Sequence, residues 1–275
     1  MSGNPLQKYF RQPKIFVKLP TGGAFNKPGV IDGNTENLPV YAMTGMDEIV
    51  VKTPDALLSG EATMRLIQSC CPAIKDAWQL CTLDVDVILV AIRIATYGNE
   101  MPVSHTCSKC GSENDYDIPL STILEHYASR RFESKLHVGE LTIRLRPLSY
   151  KQLSTFGIKN FEIQKKMLQI ETITDPEEQQ KTLANLYTEL SVLQNEIYFE
   201  SIDSVEVDNN IVTEREFIKE WLSNAEKEVY EALRSITEKN KTEWATPTQS
   251  VTCESCGNVD SASIDLDQSN FFVNA

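Results

Sequence analysis

The sequence has 275 residues, 41% hydrophobic and 24% charged, which excludes collagen-like and disordered compositions and suits one large domain or two smaller ones. A formal charge of −13 and a pI near 4.8 work against general affinity for nucleic acid, because phosphate binding draws on clustered Lys and Arg. Seven cysteines, four of them in metal-type spacing, argue for a reducing compartment rather than a secreted disulfide framework.

Residues 1–40 combine Pro5, Pro13, Pro20, Pro28 and Pro39 with Gly22, Gly23, Gly29 and Gly33, which excludes long helices and predicts an extended N-terminal arm. Ile15 to Leu19 reads as a short strand lying either on the chain's own body or on a neighbouring subunit. No basic-plus-apolar leader pattern precedes it, and Lys8, Arg11, Lys14 and Lys18 interrupt any hydrophobic run. The longest apolar stretch, Val85 to Ala95, contains Asp86 and Arg93 and is too short for a bilayer. The expectation is no membrane partner and a cytoplasmic location.

Residues 41–120 read as a mixed strand and helix core ending in the first cysteine pair. Val40 to Lys52 suggests strand, turn at Thr44-Gly45, and strand, closed by Thr53-Pro54-Asp55. Ala62, Leu66, Cys70, Ile74 and Trp78 recur at helical spacing, with Pro72 expected to kink or split the helix. Asp84 is placed as the N-cap of a second helix that turns Val85, Ile88, Leu89, Ile92 and Tyr97 to the core and ends at Gly98. A short strand over Asp115 to Leu120 follows the cysteines. Asp117-Ile118 recurs as Asp265-Leu266 after the second pair, suggesting a duplicated knuckle plus strand.

Residues 121–250 read as a mainly helical insert. Leu136 to Leu145 predicts a hairpin turning at Gly139-Glu140. From Ser149, Leu153, Phe156, Asn160, Ile163, Met167 and Ile170 form one heptad seam, with Asn160 a candidate register residue. Leu183, Leu186, Leu190, Leu193 and Ile197 form a second. Asp175-Pro176-Glu177-Glu178 supplies the start of the second helix, so the pair is expected as an antiparallel hairpin, buried in itself or receiving a partner's helix. Ile202 to Val212 suggests a hairpin around Asn209-Asn210. Thr213 and Glu216 then cap one helix carrying Phe217, Trp221, Ala225, Val229, Leu233 and Ile236.

The chemistry concentrates in two matched units, Thr106-Cys107-Ser108-Lys109-Cys110-Gly111 and Thr252-Cys253-Glu254-Ser255-Cys256-Gly257. Each Cys-x-x-Cys turn points two thiolates at one ion, and the glycine tolerates the backbone where the turn closes. About 140 residues intervene, against roughly 15–20 in a compact ribbon, so the reading is one split site with an inserted region. Cys107, Cys110, Cys253 and Cys256 are thus the expected ligands of one structural zinc per chain. Four thiolates leave no open position for substrate or water. Iron in a rubredoxin-type site uses the same turns, but within a compact aromatic domain not visible here. His105 is a surface or second-shell residue, or a fourth ligand if the site were Cys₃His. His126 and His137 fall in no catalytic pattern, and nothing nominates an active site. Residues 251–275 complete the chain as second knuckle and C-terminal strand. The fold class expected is α+β, mainly helical, with a split zinc-ribbon-like site, a helical-hairpin insertion and an extended N-terminal arm.

The run Pro54 to Ala62, the segment Ser69-Cys70-Cys71-Pro72-Ala73-Ile74, and Asp84 to Gly98 resemble the baseplate hub protein family of T-even-type contractile-tailed bacteriophages. The ending Asp265-Leu266-Asp267-Gln268-Ser269-Asn270-Phe271-Phe272 resembles the same family's acidic and aromatic C-terminus. That resemblance implies a non-enzymatic structural or assembly protein of the tail baseplate hub. Its partners would be other baseplate and tail proteins, or further copies of itself as an oligomer, and its place the host cytoplasm during assembly and the virion tail baseplate. Two other readings stand beside it: a transient chaperone absent from the mature virion, and a zinc-ribbon nucleic-acid-binding module, which the acidic charge disfavours.

Overall fold

The computed structural model describes residues 4–52, 60–208, 210–264 and 271–272. The fold is α+β, with helix exceeding strand. The chain clusters into two compact units, residues 1–131 with 244–275, and residues 132–243.

In the first unit β1 (Pro13–Val17) pairs antiparallel with β2 (Leu38–Tyr41), so the arm from Pro13 onward lies on the chain's own body. Val17, Leu19, Val30, Leu38 and Val40 are buried there. The strand reading of Val40 to Lys52 is corrected beyond Tyr41, where α1 (Gly45–Val51) begins. The Thr44 hydroxyl accepts from the Asp47 N–H while the Asp47 carboxylate accepts from the Thr44 N–H, and this reciprocal cap outweighs the strand preference of Ile49-Val50-Val51. Then α2 (Glu61–Cys70) stops before Pro72, and only a short 3₁₀ turn, Ala77–Gln79, continues toward Trp78.

The central helix is α3 (Thr82–Tyr97), packed on β1 and β2 and apolar almost all round, as a helix enclosed on every side must be. Its N-cap is Cys81, not Asp84. Asp84 instead lies buried in the first turn, accepting from the Thr21 N–H and hydroxyl (2.6 Å) and from the Asn26 amide (3.0 Å), which pins the arm to the helix. Burial pushes its carboxyl above the usual range, and these three donors oppose that. Val85, Ile88, Leu89 and Ile92 are buried as expected, whereas Tyr97 remains 37% exposed. Gly98, at φ 97°, ends the helix. The buried Arg93 donates to the Phe271 carbonyl and lies over its ring, 5.2 Å from the centroid. Among the described residues no helix is long and apolar enough to cross a membrane. The unit is completed by the hairpin β3 (Glu100–Thr106) and β4 (Glu113–Pro119), by α4 (Ser121–Ala128), and by a second hairpin late in the chain.

The second unit has a four-stranded antiparallel sheet in the order β5 (Lys135–Val138), β6 (Leu141–Leu145), β7 (Ile202–Val207), β8 (Asn210–Val212). The first hairpin turns at Gly139-Glu140 as read from the sequence. In the second, Asp208 takes the left-handed conformation (φ 50°) and Asn210 is already in the strand, so the turn sits one residue earlier than expected. Asn209 lies outside the described residues, as do the predicted break at residues 53–55 and the predicted repeat at 265–266.

Between β6 and β7 run α5 (Tyr150–Gln169) and α6 (Pro176–Ser201), started by Ser149 and Asp175 as the sequence indicates. They are antiparallel: Lys159 pairs with Glu196 and Lys166 with Glu189, the partner numbers running in opposite directions. Phe156, Ile163, Ile170, Leu186 and Leu193 are buried between them. Asn160 is exposed and therefore fixes no register, and Leu153 is 47% exposed. The single helix read after residue 213 is two, α7 (Arg215–Ser223) and α8 (Lys227–Glu243), broken at Asn224 to Glu226. The N-cap is Glu214 rather than Thr213, and the buried face carries Ile218 and Leu222, leaving Phe217 61% exposed. With Ile143, Ile202 and Leu233 these residues form the core beneath the sheet.

Candidate metal centre

The late hairpin consists of β9 (Gln249–Thr252) and β10 (Val259–Ala262), and its turn repeats the turn between β3 and β4. In the first, the Cys107 N–H donates to the Ser112 carbonyl and the Gly111 N–H to the Cys107 carbonyl; in the second, Cys253 donates to Asn258 and Gly257 to Cys253. Gly111 and Gly257 hold φ of 72° and 70°, the left-handed region that glycine enters without steric cost. Both turns are therefore the same knuckle. At equal distance past the two knuckles stand Ile118 and Ile264, both buried.

The knuckles face one another through a network that repeats across the pair. The Asn114 carboxamide oxygen accepts from the Glu254 N–H at 3.0 Å, and the Asp260 carboxylate accepts from the Ser108 N–H at 2.8 Å. Asn114 and Asp260 each stand four residues past the second cysteine of their own knuckle, and each caps the opposite turn. Sequence reading missed both, although that equal spacing was available to find them. The Ser108 hydroxyl and N–H hold the Asp260 carboxyl well below the usual carboxylate range. The Tyr116 hydroxyl donates to the Thr252 carbonyl (3.0 Å), and the Ser112 and Ser255 hydroxyls meet at 2.9 Å.

At the centre the Sγ atoms of Cys107, Cys110, Cys253 and Cys256 all lie within 4.8 Å of one another. Cys107 and Cys253 are buried, whereas Cys110 and Cys256 reach the surface. The cross-knuckle separations are 3.7 Å for Cys107 to Cys256 and 3.6 Å for Cys110 to Cys253. A disulfide would need about 2.05 Å, whereas a tetrahedron of sulfurs with metal bonds of about 2.3 Å has edges of about 3.8 Å. These two separations match such an edge, and four sulfurs this close can hold a metal ion. Burial raises the Cys253 thiol, but N–H donors from Cys256 and Ser255 and the thiols of Cys110 and Cys256 outweigh it and bring it to about 6; on Cys256 the Asn258 N–H lowers the thiol, but its sulfur neighbours and burial outweigh that and push it up to about 12.

The structure brings all four predicted ligands together and leaves the histidines out. His105 sits on β3 with Nε2 3.5 Å from Asp260, outside the sulfur cluster. His126 Nδ1 lies 3.1 Å from Arg130, and His137 Nδ1 lies 3.0 Å from the Thr142 hydroxyl on the neighbouring strand. Cys70, Cys71 and Cys81 are buried, and burial drives their thiols upward, to about 12 for Cys70 and Cys81, which keeps them protonated. Among the described residues, the four knuckle cysteines form the one metal-type cluster of three or more side chains.

No curated protein and no solved structure gives a significant match to this chain. A family model described as T4 bacteriophage base plate protein matches residues 40–273, a span that begins at β2 and takes in both knuckles and the whole second unit. On that match the chain belongs to the T4 bacteriophage base plate protein family.

Proposed function

We propose that this protein is a non-enzymatic subunit of the contractile-tail baseplate hub, built by contacts with other tail proteins, and that a structural zinc clamps its two knuckles. Zinc suits the site because four thiolates complete its preferred tetrahedron and leave no position for substrate or redox chemistry. The observation that carries the clamp is the convergence of Cys107 and Cys110 with Cys253 and Cys256 from hairpins 143 residues apart. The family match carries the tail assignment. In this reading the metal sets a rigid base, and the surfaces it positions make the contacts.

Mass spectrometry of purified phage particles beside hub assembly intermediates tests the assignment. A hub subunit is expected in both. Presence only in the intermediates identifies a transient assembly factor, and absence from both overturns the reading. Elemental analysis of the purified chain is expected to find one zinc.

A further inference from the structure

The N-terminal arm and one face of the second unit carry opposite charge. None of the 39 acidic residues precedes Asp32, whereas Lys8, Arg11, Lys14, Lys18 and Lys27 all do, so the arm is basic on a chain of net charge −13. Two of these cations are committed locally. Arg11 donates to the Ala42 carbonyl and lies 3.6 Å from Asp47, and Lys18 pairs with Glu36 at 2.6 Å. Lys8 and Lys14 form no ion pair among the described residues. Beside them Leu6, Tyr9, Phe10 and Phe16 are 62%, 73%, 56% and 57% exposed, and the 3₁₀ turn Pro5–Tyr9 buries no residue at all. Lys8 lies over the Tyr9 ring, 4.9 Å from its centroid; single exposed apolar side chains are ordinary, but four of them interleaved with lysines that form no ion pair are the composition of a contact surface.

The second unit carries the complement. A groove of about 660 Å³ lies beside the β5–β6 turn and the α7–α8 junction, floored by Val138, Leu141, Trp221 and Val229. The charged residues lining it are Glu220, Glu226 and Glu228, with no Lys or Arg among the lining residues. None of the three forms an ion pair among the described residues. An apolar floor that includes an indole, with glutamates around it, suits a segment that alternates aromatic rings with lysines.

We propose that the arm of one copy docks into this groove on a second copy, with Lys8 and Lys14 against the glutamates and the Tyr9 and Phe10 rings on the apolar floor. The inference rests on reading the chain as an assembling tail subunit and names one of its contacts. Because two different surfaces meet, the contact repeats head to tail and either closes into a ring or propagates.

Sedimentation velocity of the purified full-length chain tests it. Wild-type protein is expected to self-associate at low salt and to return to the 31.0 kDa monomer in about 1 M salt, where the screening length falls to about 3 Å. Lys8→Glu with Lys14→Glu, and separately Glu220→Lys with Glu226→Lys, change exposed positions and should leave the circular dichroism spectrum unchanged. Each pair is expected to weaken self-association about tenfold or more, and an equimolar mixture of the two variants should restore it, since each then supplies the charge the other lacks. A wild-type chain that stays monomeric at about 100 μM overturns the proposal. So do variants that associate like wild type, or a mixture that fails to recover. A chain found in tail particles that is monomeric alone removes this contact and leaves the tail assignment standing; self-association by a chain absent from tail particles and intermediates does the reverse.

Discussion

The two knuckles and the α5–α6 hairpin are both paired, repeating elements, yet they are held together by opposite means. The helices follow one another directly, so little loop-closure entropy opposes their meeting, and Phe156, Ile163, Leu186 and Leu193 bury enough apolar surface to keep them in register. The knuckles lie 143 residues apart, each is a short two-stranded hairpin, and half of their sulfurs are exposed. Two-stranded hairpins alone are marginal in water, so apolar burial cannot account for that junction. In the proposed reading metal coordination supplies what packing does not, and the hydrogen bonds of Asn114 and Asp260 set the orientation.

The strongest way to break this contrast is Cys253→Ser. Losing one of four ligands is expected to cost several kcal/mol, a fraction of the roughly 10–16 kcal/mol typical of structural zinc. Hydrogen exchange should show protection lost over residues 100–119 and 249–262 while α5 and α6 keep theirs. Equal loss in both regions would show that the hairpin depends on the metal after all. Leu233→Ala probes the other side: Leu233 is fully buried in the second unit's core, so a loss of about 2–5 kcal/mol is expected, read by denaturant unfolding, with zinc content unchanged.

A smaller effect separates the first unit by pH. Burial pushes the Asp86 carboxyl up to about 6, so the folded state holds its proton more tightly than the unfolded chain. The charged form therefore costs stability at pH 7, and that cost is relieved as pH falls from about 6 towards about 4. Asp86→Asn is expected to flatten the stability profile in this window by up to about 3 kcal/mol, measured by urea unfolding at a series of pH values. Smallest of all, Lys159→Ala removes a surface ion pair with Glu196 and should shift stability by less than about 1 kcal/mol, as expected of a hairpin held by its buried apolar residues.

The contrast also explains what could be read in the sequence. The knuckles were legible because Cys-x-x-Cys-Gly constrains chemistry and backbone within six residues, and α5 and α6 because their caps and seams are local. Where two local signals competed the reading slipped. Thr44 and Asp47 carried a capping pattern, yet the β-branched run behind them suggested a strand. At residues 213–216 a plausible capping box drew the helix start one residue early, and the apolar stripe ran on across the break at Asn224. Asp84 looked like a cap because the partners that bury it, Thr21 and Asn26, lie some 60 positions earlier. Arg93 gave no sign of its contact with Phe271, which is 178 residues away. Such pairings leave no periodic trace, and only the fold reveals them.

In the proposed clamp one metal ion joins the two knuckles through four sulfurs. X-ray absorption at the zinc edge of the purified wild-type chain tests it most directly. One zinc per chain with four sulfur neighbours at about 2.3 Å and no nitrogen or oxygen bound to it is the expected result. A metal-free chain with disulfides between these cysteines, or a zinc with nitrogen or oxygen neighbours in place of sulfur, would contradict it.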